Sequence, residues 1–169
     1  MLLRNAKSAW PDVPDIERPL GKRGQRDAPR AGRWLRQAGY VPDLIVCSTA
    51  RRTRETWQLA VAELGASPPV RFEPRVYGAN IDRLLDVVRE TPSGVETLLV
   101  LGHEPTMREL SLMLAAGVTE GSDPDTLQRI RLKFPTAAIA VLAFTGLWPG
   151  LGPGRAGLAD FVVPADYPA

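Results

Sequence analysis

The feature that most constrains the fold is a set of short, continuous apolar runs, among them DLIVCS at residues 43–48 and TLLVLG at residues 97–102. Each run has the length of a strand and lacks the alternation of a half-exposed strand, so each predicts a strand that is covered on both faces. Helical patterns separate the runs, at about residues 24–37, 49–65, 80–90 and 105–115. This alternation predicts an α/β fold, a three-layer αβα sandwich with a mostly parallel sheet.

The rest of the chain fits one domain over residues 1–169, a length that allows a single sizeable core. Three further apolar runs predict strands, at residues 1–4, 70–74 and 137–144. Residues 146–169 contain a Gly/Pro linker and a last run, LADFVV, that we expect to pair back as an antiparallel strand at the sheet edge. The Gly/Asp/Pro stretch at residues 117–125 is expected to be a surface excursion.

Composition excludes several classes of function. No stretch approaches the roughly 20 apolar residues of a membrane span, and no secretion signal is apparent, so we expect a cytoplasmic protein with no membrane partner. The one cysteine, Cys47, fits a reduced compartment. The net charge is +2, and the 18 arginines outnumber the three lysines. A GC-rich genome explains that bias, and so does phosphate handling; because the charge is spread among acids, no nucleic-acid partner is expected.

Polar side chains follow three of the predicted strands, at the edge where ligands gather in such folds. The three places are Arg4–Asn5, Ser48–Arg52 and Gly102–His103. Arg4 ends a buried type of strand, which is a costly position for an unpaired charge. Arg52 lies in the first turn of a helix, the end that disfavours cations, with Ser48 or Thr49 as the expected N-cap. The alternative is that these residues pair with nearby acids or solvent, and that the histidine is an ordinary polar residue.

Five short motifs occur in order along residues 1–145: LLRNAKS from Leu2, RPLGKRG from Arg18, Ser48 with Arg52 and Thr56, GHEP from Gly102, and KFPTAA from Lys133. Together they resemble the histidine phosphatase superfamily, which includes the phosphoglycerate mutases. Within that superfamily the chain is most similar to the SixA-type phosphohistidine phosphatases, which lack the large helical lid of other members.

The resemblance implies a phosphatase, a hydrolase that works through a phosphohistidine intermediate and needs no cofactor or metal. Arg4, Arg52 and His103 would then bind the phosphoryl oxygens, while Asn5 occupies the position of the nucleophilic histidine. An amide nitrogen is not a useful nucleophile at neutral pH, so this chain is expected to be catalytically impaired. Glu73 is a candidate proton donor, with a surface salt bridge as the alternative.

Three functions stay open at this point. The chain could be an inactivated version of a phosphatase that acts on phosphohistidine proteins, or a pseudo-enzyme that binds phosphorylated proteins without turnover. The third is a phosphatase for small phosphate esters. In each case, phosphate or sulfate could occupy the site.

Overall fold

The computed structural model describes residues 1–118 and 122–168, and shows an α/β fold built on one six-stranded sheet. The strands are β1 (Leu2–Arg4), β2 (Leu44–Cys47), β3 (Val70–Phe72), β4 (Leu98–Gly102), β5 (Ile139–Ala143) and β6 (Gly157–Val162). The helices are α1 (Lys22–Gln37), α2 (Arg51–Leu64), α3 (Ile81–Arg89), α4 (Thr106–Leu114) and α5 (Pro124–Leu132). No helix in the described part of the chain is long and apolar enough to span a membrane.

The sheet has the order β3-β2-β4-β1-β5-β6. The first four strands in this order are parallel, which confirms the mostly parallel sheet. β5 runs antiparallel to β1, and the edge strand β6 pairs antiparallel with β5, as the last apolar run predicted. The carboxyl ends of β2, β4 and β1 therefore lie side by side at one edge.

Helices cover both faces of the sheet, which explains the continuous apolar runs. Leu3, Ile45 and Leu99 belong to a core that packs under α1 and α2. The neighbouring residues Leu2, Val46 and Val100 belong to a second core under α3, α4 and α5. Because successive strand residues face opposite sides, each strand contributes to both cores and must be apolar throughout.

Two local predictions need correction. Residues 117–125 are predicted to be a surface excursion; residues 119–121 lie outside the described residues, and the last two residues already belong to α5, which begins at Pro124. There the Asp123 carboxylate accepts a hydrogen bond of 2.8 Å from the Thr126 N–H. The N-cap of α2 is Ala50, which has no side-chain cap, rather than Ser48 or Thr49. The Ser48 hydroxyl is engaged elsewhere, as described below.

Candidate active site

The sheet edge formed by β2, β4 and β1 brings the three strand-end segments together. Arg4 lies opposite Gly102 in the register of β1 and β4, and the Asn5 N–H donates a 3.0 Å hydrogen bond to the Gly102 carbonyl. On the other side of β4, the Ser48 N–H donates a 3.0 Å bond to the Leu101 carbonyl. Asn5 and Ser48 therefore flank the end of the strand that delivers His103.

His103 is held by Ser48. The two side chains form a hydrogen bond of 2.7 Å between the imidazole Nε2 and Ser48 Oγ, and Ser48 is fully buried. The ring of Tyr77 packs edge-on against the imidazole, with centroids 5.7 Å apart. Nδ1 is buried and has no hydrogen-bond partner among the described residues.

The environment of His103 keeps its ring neutral at pH 7 in the protein alone. Burial lowers the pKa to about 4, and the charges of Arg52 and Arg4 act in the same direction, against an opposing effect from Asp15. The imidazole is therefore ready to accept a proton only when a further negative charge approaches.

Arg52 is nearly buried, at 8% exposure, although it lies in the first turn of α2. Its Nη1 donates to the backbone carbonyl of Asp15 at 2.8 Å, and its Nη2 lies 3.2 Å from the Asp15 carboxylate. Its guanidinium carbon is 6.0 Å from the centroid of the Tyr77 ring. The Asp15 carboxylate thus offsets the cost of placing a buried cation at the positive end of a helix.

Arg4 is held in a different way. Its Nη1 donates a 2.6 Å hydrogen bond to the backbone carbonyl of Phe134, while its buried Nε has no partner among the described residues. Burial lowers the pKa of Arg4, and the nearby charge of Glu104 opposes that effect. Two guanidinium groups and an imidazole therefore meet the same sheet edge, which is a set of donors suited to an oxyanion.

Comparison with known proteins identifies the family. Residues 1–82 match the histidine phosphatase superfamily (branch 1). An uncharacterised protein of Mycobacterium tuberculosis strain H37Rv is 43% identical over 163 residues, covering 96% of this chain and 99% of that protein. A solved structure from Nakamurella multipartitia, provisionally named phosphohistidine phosphatase SixA, is 35% identical with a TM-score of 0.80, covering 96% of this chain and 95% of that one. The chain belongs to the histidine phosphatase superfamily.

The fold is also that of a protein histidine phosphatase SixA solved in complex with tungstate. That structure has a TM-score of 0.78 to this chain at 20% identity, with 98% of this chain and 96% of that one covered. Both neighbours match nearly end to end, and this member of the superfamily has no large helical lid in the residues described.

The first superfamily motif is fixed by its neighbours in the chain and in space. Asn5 is 6% exposed, and its Nδ2 donates a 2.9 Å hydrogen bond to the Ala6 carbonyl. The Ala6 N–H in turn donates to Thr56 Oγ1 at 3.0 Å, so the threonine of the Ser48, Arg52 and Thr56 motif holds the backbone after Asn5. The Asn5 amide nitrogen is therefore engaged within its own loop.

The late motif KFPTAA also supports this site. The Ala137 N–H lies 3.1 Å from both the Arg4 and the Asn5 carbonyl oxygens, and the Arg4 N–H donates to the Ala138 carbonyl at 3.1 Å. Ala137 has φ of +60°, a left-handed conformation that is uncommon for alanine. The motif therefore clamps the backbone of the Arg4–Asn5 segment in addition to supplying the Phe134 carbonyl.

The RPL motif holds a loop beside the site. Arg18 is 8% exposed and donates to the Ala9 carbonyl at 3.1 Å, to the Asp15 carboxylate at 2.9 Å and to the Ser8 hydroxyl. Its guanidinium carbon lies 3.3 Å from the centroid of the Trp10 ring. These contacts fix the 3₁₀ turn Asp15–Glu17, which carries the carboxylate that meets Arg52.

Glu73 forms a salt bridge, which is the alternative to a role as proton donor. Its carboxylate accepts hydrogen bonds from Arg75 at 3.0 and 2.9 Å, and Arg75 also pairs with Glu90 at 2.6 Å. Hydrogen bonding to Arg75 lowers the pKa of Glu73 to about 2, so the group is ionised at neutral pH. This disfavours Glu73 as a proton donor.

Other charged residues near the motifs lie outside the site. Arg51 forms an exposed ion pair with Glu55 at 2.6 Å, and Arg54 is exposed. No group of three potential metal ligands occurs within residues 1–118 and 122–168. Two residues outside the five motifs, Asp15 and Tyr77, also contact the site. Each comes from a loop whose sequence has no periodic signal.

Proposed function

We propose that this chain is a phosphohistidine phosphatase of the SixA type whose own turnover is impaired at residue 5. Family membership and the two SixA neighbours support a phosphatase function. The observation that carries the proposal is the meeting of Arg4, Arg52 and His103 at the sheet edge where the Asn5 backbone bonds to β4.

These three side chains are suited to a phosphoryl group. Guanidinium groups bind phosphoryl oxygens through charge-assisted hydrogen bonds and stabilise the charge that develops during transfer. A dianion beside His103 favours the protonated imidazole, so binding is expected to raise its pKa from about 4 and convert the ring into a donor. The tungstate held by the SixA neighbour is an oxyanion of similar shape, which supports the same ligand class here.

Asn5 removes the nucleophile while leaving this pocket in place. With histidine at residue 5, a ring nitrogen would attack phosphorus, the P–N bond of the substrate would break, and the departing imidazole would take up a proton. Water would then hydrolyse the new phosphohistidine and release phosphate. An amide nitrogen cannot begin this sequence because its lone pair is delocalised, and loss of a nucleophile costs on the order of 10⁶ in turnover.

The surroundings favour a protein substrate over a small ester. Trp10, Val13 and Ile16 are 76%, 41% and 37% exposed, and they lie on the loop that brings Asp15 to Arg52. Exposed apolar side chains on one loop that also carries a site residue support contact with another macromolecule. Phosphorylated proteins are therefore the proposed partners, and the buried Cys47 thiol fits the cytoplasm as the proposed location.

The test is a phosphatase assay of the chain beside its Asn5→His variant, with p-nitrophenyl phosphate and with a histidine-phosphorylated protein domain. We expect activity to rise by several orders of magnitude, with an acid-labile, base-stable phosphate trapped on residue 5. Asn5→Gln is the matched control, because it alters the side chain without supplying a ring nitrogen, and it should stay inert. His103→Ala in the Asn5→His background should lower the rate again.

A phosphate-binding module is the second candidate function. Its specific support is that the Asn5 amide nitrogen already donates to the Ala6 carbonyl while both arginines remain at the site. An Asn5→His variant that binds phosphate tightly but hydrolyses neither substrate would favour this function and overturn the impaired-enzyme proposal.

A further inference from the structure

Asp15 contacts the guanidinium of Arg52 through its backbone and through its carboxylate. Both terminal nitrogens of the guanidinium contact Asp15, one at the backbone carbonyl (2.8 Å) and one at Oδ2 (3.2 Å). The same Oδ2 accepts a 2.7 Å hydrogen bond from the Tyr77 hydroxyl, and Oδ1 accepts a 2.9 Å bond from Arg18. Asp15 thus sits among the donors in the position of a bound anion.

The charges make shared occupancy unfavourable. A phosphoryl group that binds Arg52 at Nη2 competes with the Asp15 carboxylate for that nitrogen, and a carboxylate within a few ångströms of it adds like-charge repulsion. The Tyr77 hydrogen bond, followed by those from Arg18 and Arg52, keeps the Asp15 pKa at about 2, so protonation does not relieve that repulsion at neutral pH.

The solvent exposure of the two side chains indicates which of them can leave the contact between Asp15 and Arg52. The Asp15 side chain is 51% exposed, whereas that of Arg52 is 10% exposed. Asp15 can turn into solvent and be hydrated, while Arg52 stays behind as a nearly buried cation that requires an anion. The contact is therefore one that a stronger anion can replace.

We propose that Asp15 is an internal competitor for the phosphoryl group, which holds Arg52 in the free protein and is displaced when a phosphoryl group binds. This inference rests on the function proposed above. The competition weakens binding of free inorganic phosphate, so the pocket stays available for ligands with additional contacts to the surrounding surface. It thereby selects phosphoryl groups carried by proteins.

The opposite role is that Asp15 positions Arg52 for the ligand, and the two roles predict opposite changes in affinity. The test is calorimetric titration of inorganic phosphate, at fixed ionic strength and pH 7.5, into the chain and its Asp15→Asn variant. Asparagine keeps the shape and loses the charge, so binding should tighten at least about tenfold, equivalent to about 1.4 kcal/mol. Tyr77→Phe removes one anchor of the carboxylate and should tighten binding by a smaller factor, about two- to threefold.

Asp12→Asn is the matched control, because Asp12 is an exposed carboxylate on the same loop and its loss changes the net charge equally. It should leave phosphate affinity within about twofold. Equal or weaker binding by Asp15→Asn, with clear binding by the parent chain, overturns the competitor role and leaves the phosphate pocket standing. Absence of phosphate binding in the parent chain and all variants overturns the proposed function, and this inference with it.

Discussion

The two arginines at the sheet edge are held by different kinds of partner. Arg4 donates to the main-chain carbonyl of Phe134, and its own backbone is clamped by Ala137 and Ala138. Arg52 instead contacts Asp15, whose side chain is half exposed and lies on a 3₁₀ turn outside the sheet. One cation is fixed by the fold itself, and the other by a carboxylate that can be exchanged.

This difference shows how two cations at one sheet edge can be stable without a ligand. A carbonyl satisfies a guanidinium N–H but brings no negative charge, so Arg4 still attracts an anion. A carboxylate neutralises Arg52 until something binds more strongly. Substitutions around Arg52 should therefore change ligand affinity more than the free energy of unfolding. Substitutions around Arg4, whose backbone is held by Ala137 and Ala138, should also change the free energy of unfolding.

The largest effect expected from this comparison is at Arg52 itself. Arg52→Ala removes a nearly buried donor of charge-assisted hydrogen bonds, so phosphate affinity should fall at least about 100-fold. Arg54→Ala, an exposed change two residues along α2, should stay within about threefold. Thermal unfolding with and without saturating phosphate measures both, and equal losses in the two variants would contradict the assignment of Arg52.

The pH dependence of stability tests the buried imidazole. The folded-state pKa of His103 is about 4, below the usual 6.5, so the unfolded chain binds the proton first as the pH falls. The free energy of unfolding should therefore decrease as the pH falls from 6.5 to 4. Below pH 4 this group should cause no further decrease. Urea unfolding at pH 7 and pH 4.5 should show a loss about 2 kcal/mol larger in the parent chain than in His103→Gln. Equal losses would contradict a neutral, desolvated ring.

Ser48→Ala should have a smaller effect on the same group. It leaves the imidazole Nε2 without its partner and removes the acceptor, at 3.3 Å, of the Ala50 N–H, so the free energy of unfolding should fall by about 1–2 kcal/mol. In the Asn5→His background the phosphatase rate should fall as well. Urea unfolding and the p-nitrophenyl phosphate assay measure the two effects, and an unchanged rate would remove Ser48 from the site.

Glu73→Gln should have the smallest effect. Its carboxylate is occupied by Arg75, so the phosphatase rate of the Asn5→His protein should stay within about twofold. A general acid typically contributes 10²–10⁴ in rate, so a loss of that size would restore Glu73 as the proton donor.

The strand-end residues could be predicted from the sequence because carboxyl ends of parallel strands meet at one edge. The residues that contact them from other loops could not be predicted. Asp15 and Tyr77 reach Arg52 from two loops far apart in the chain, and nothing in local periodicity indicates such a meeting. The missed helix α5 has one buried residue, Ile130, so its amphipathic pattern was too weak to distinguish it from a surface loop.

A crystal structure of the chain grown with tungstate would show whether this sheet edge binds an oxyanion, because the heavy atom locates the oxyanion without ambiguity. We expect oxyanion oxygens within about 3.5 Å of Arg4, Arg52 and the ring of His103, and we expect the Asp15 carboxylate to have left the Arg52 guanidinium. Tungstate bound only elsewhere on the protein, or an empty sheet edge at saturating concentration, would contradict it.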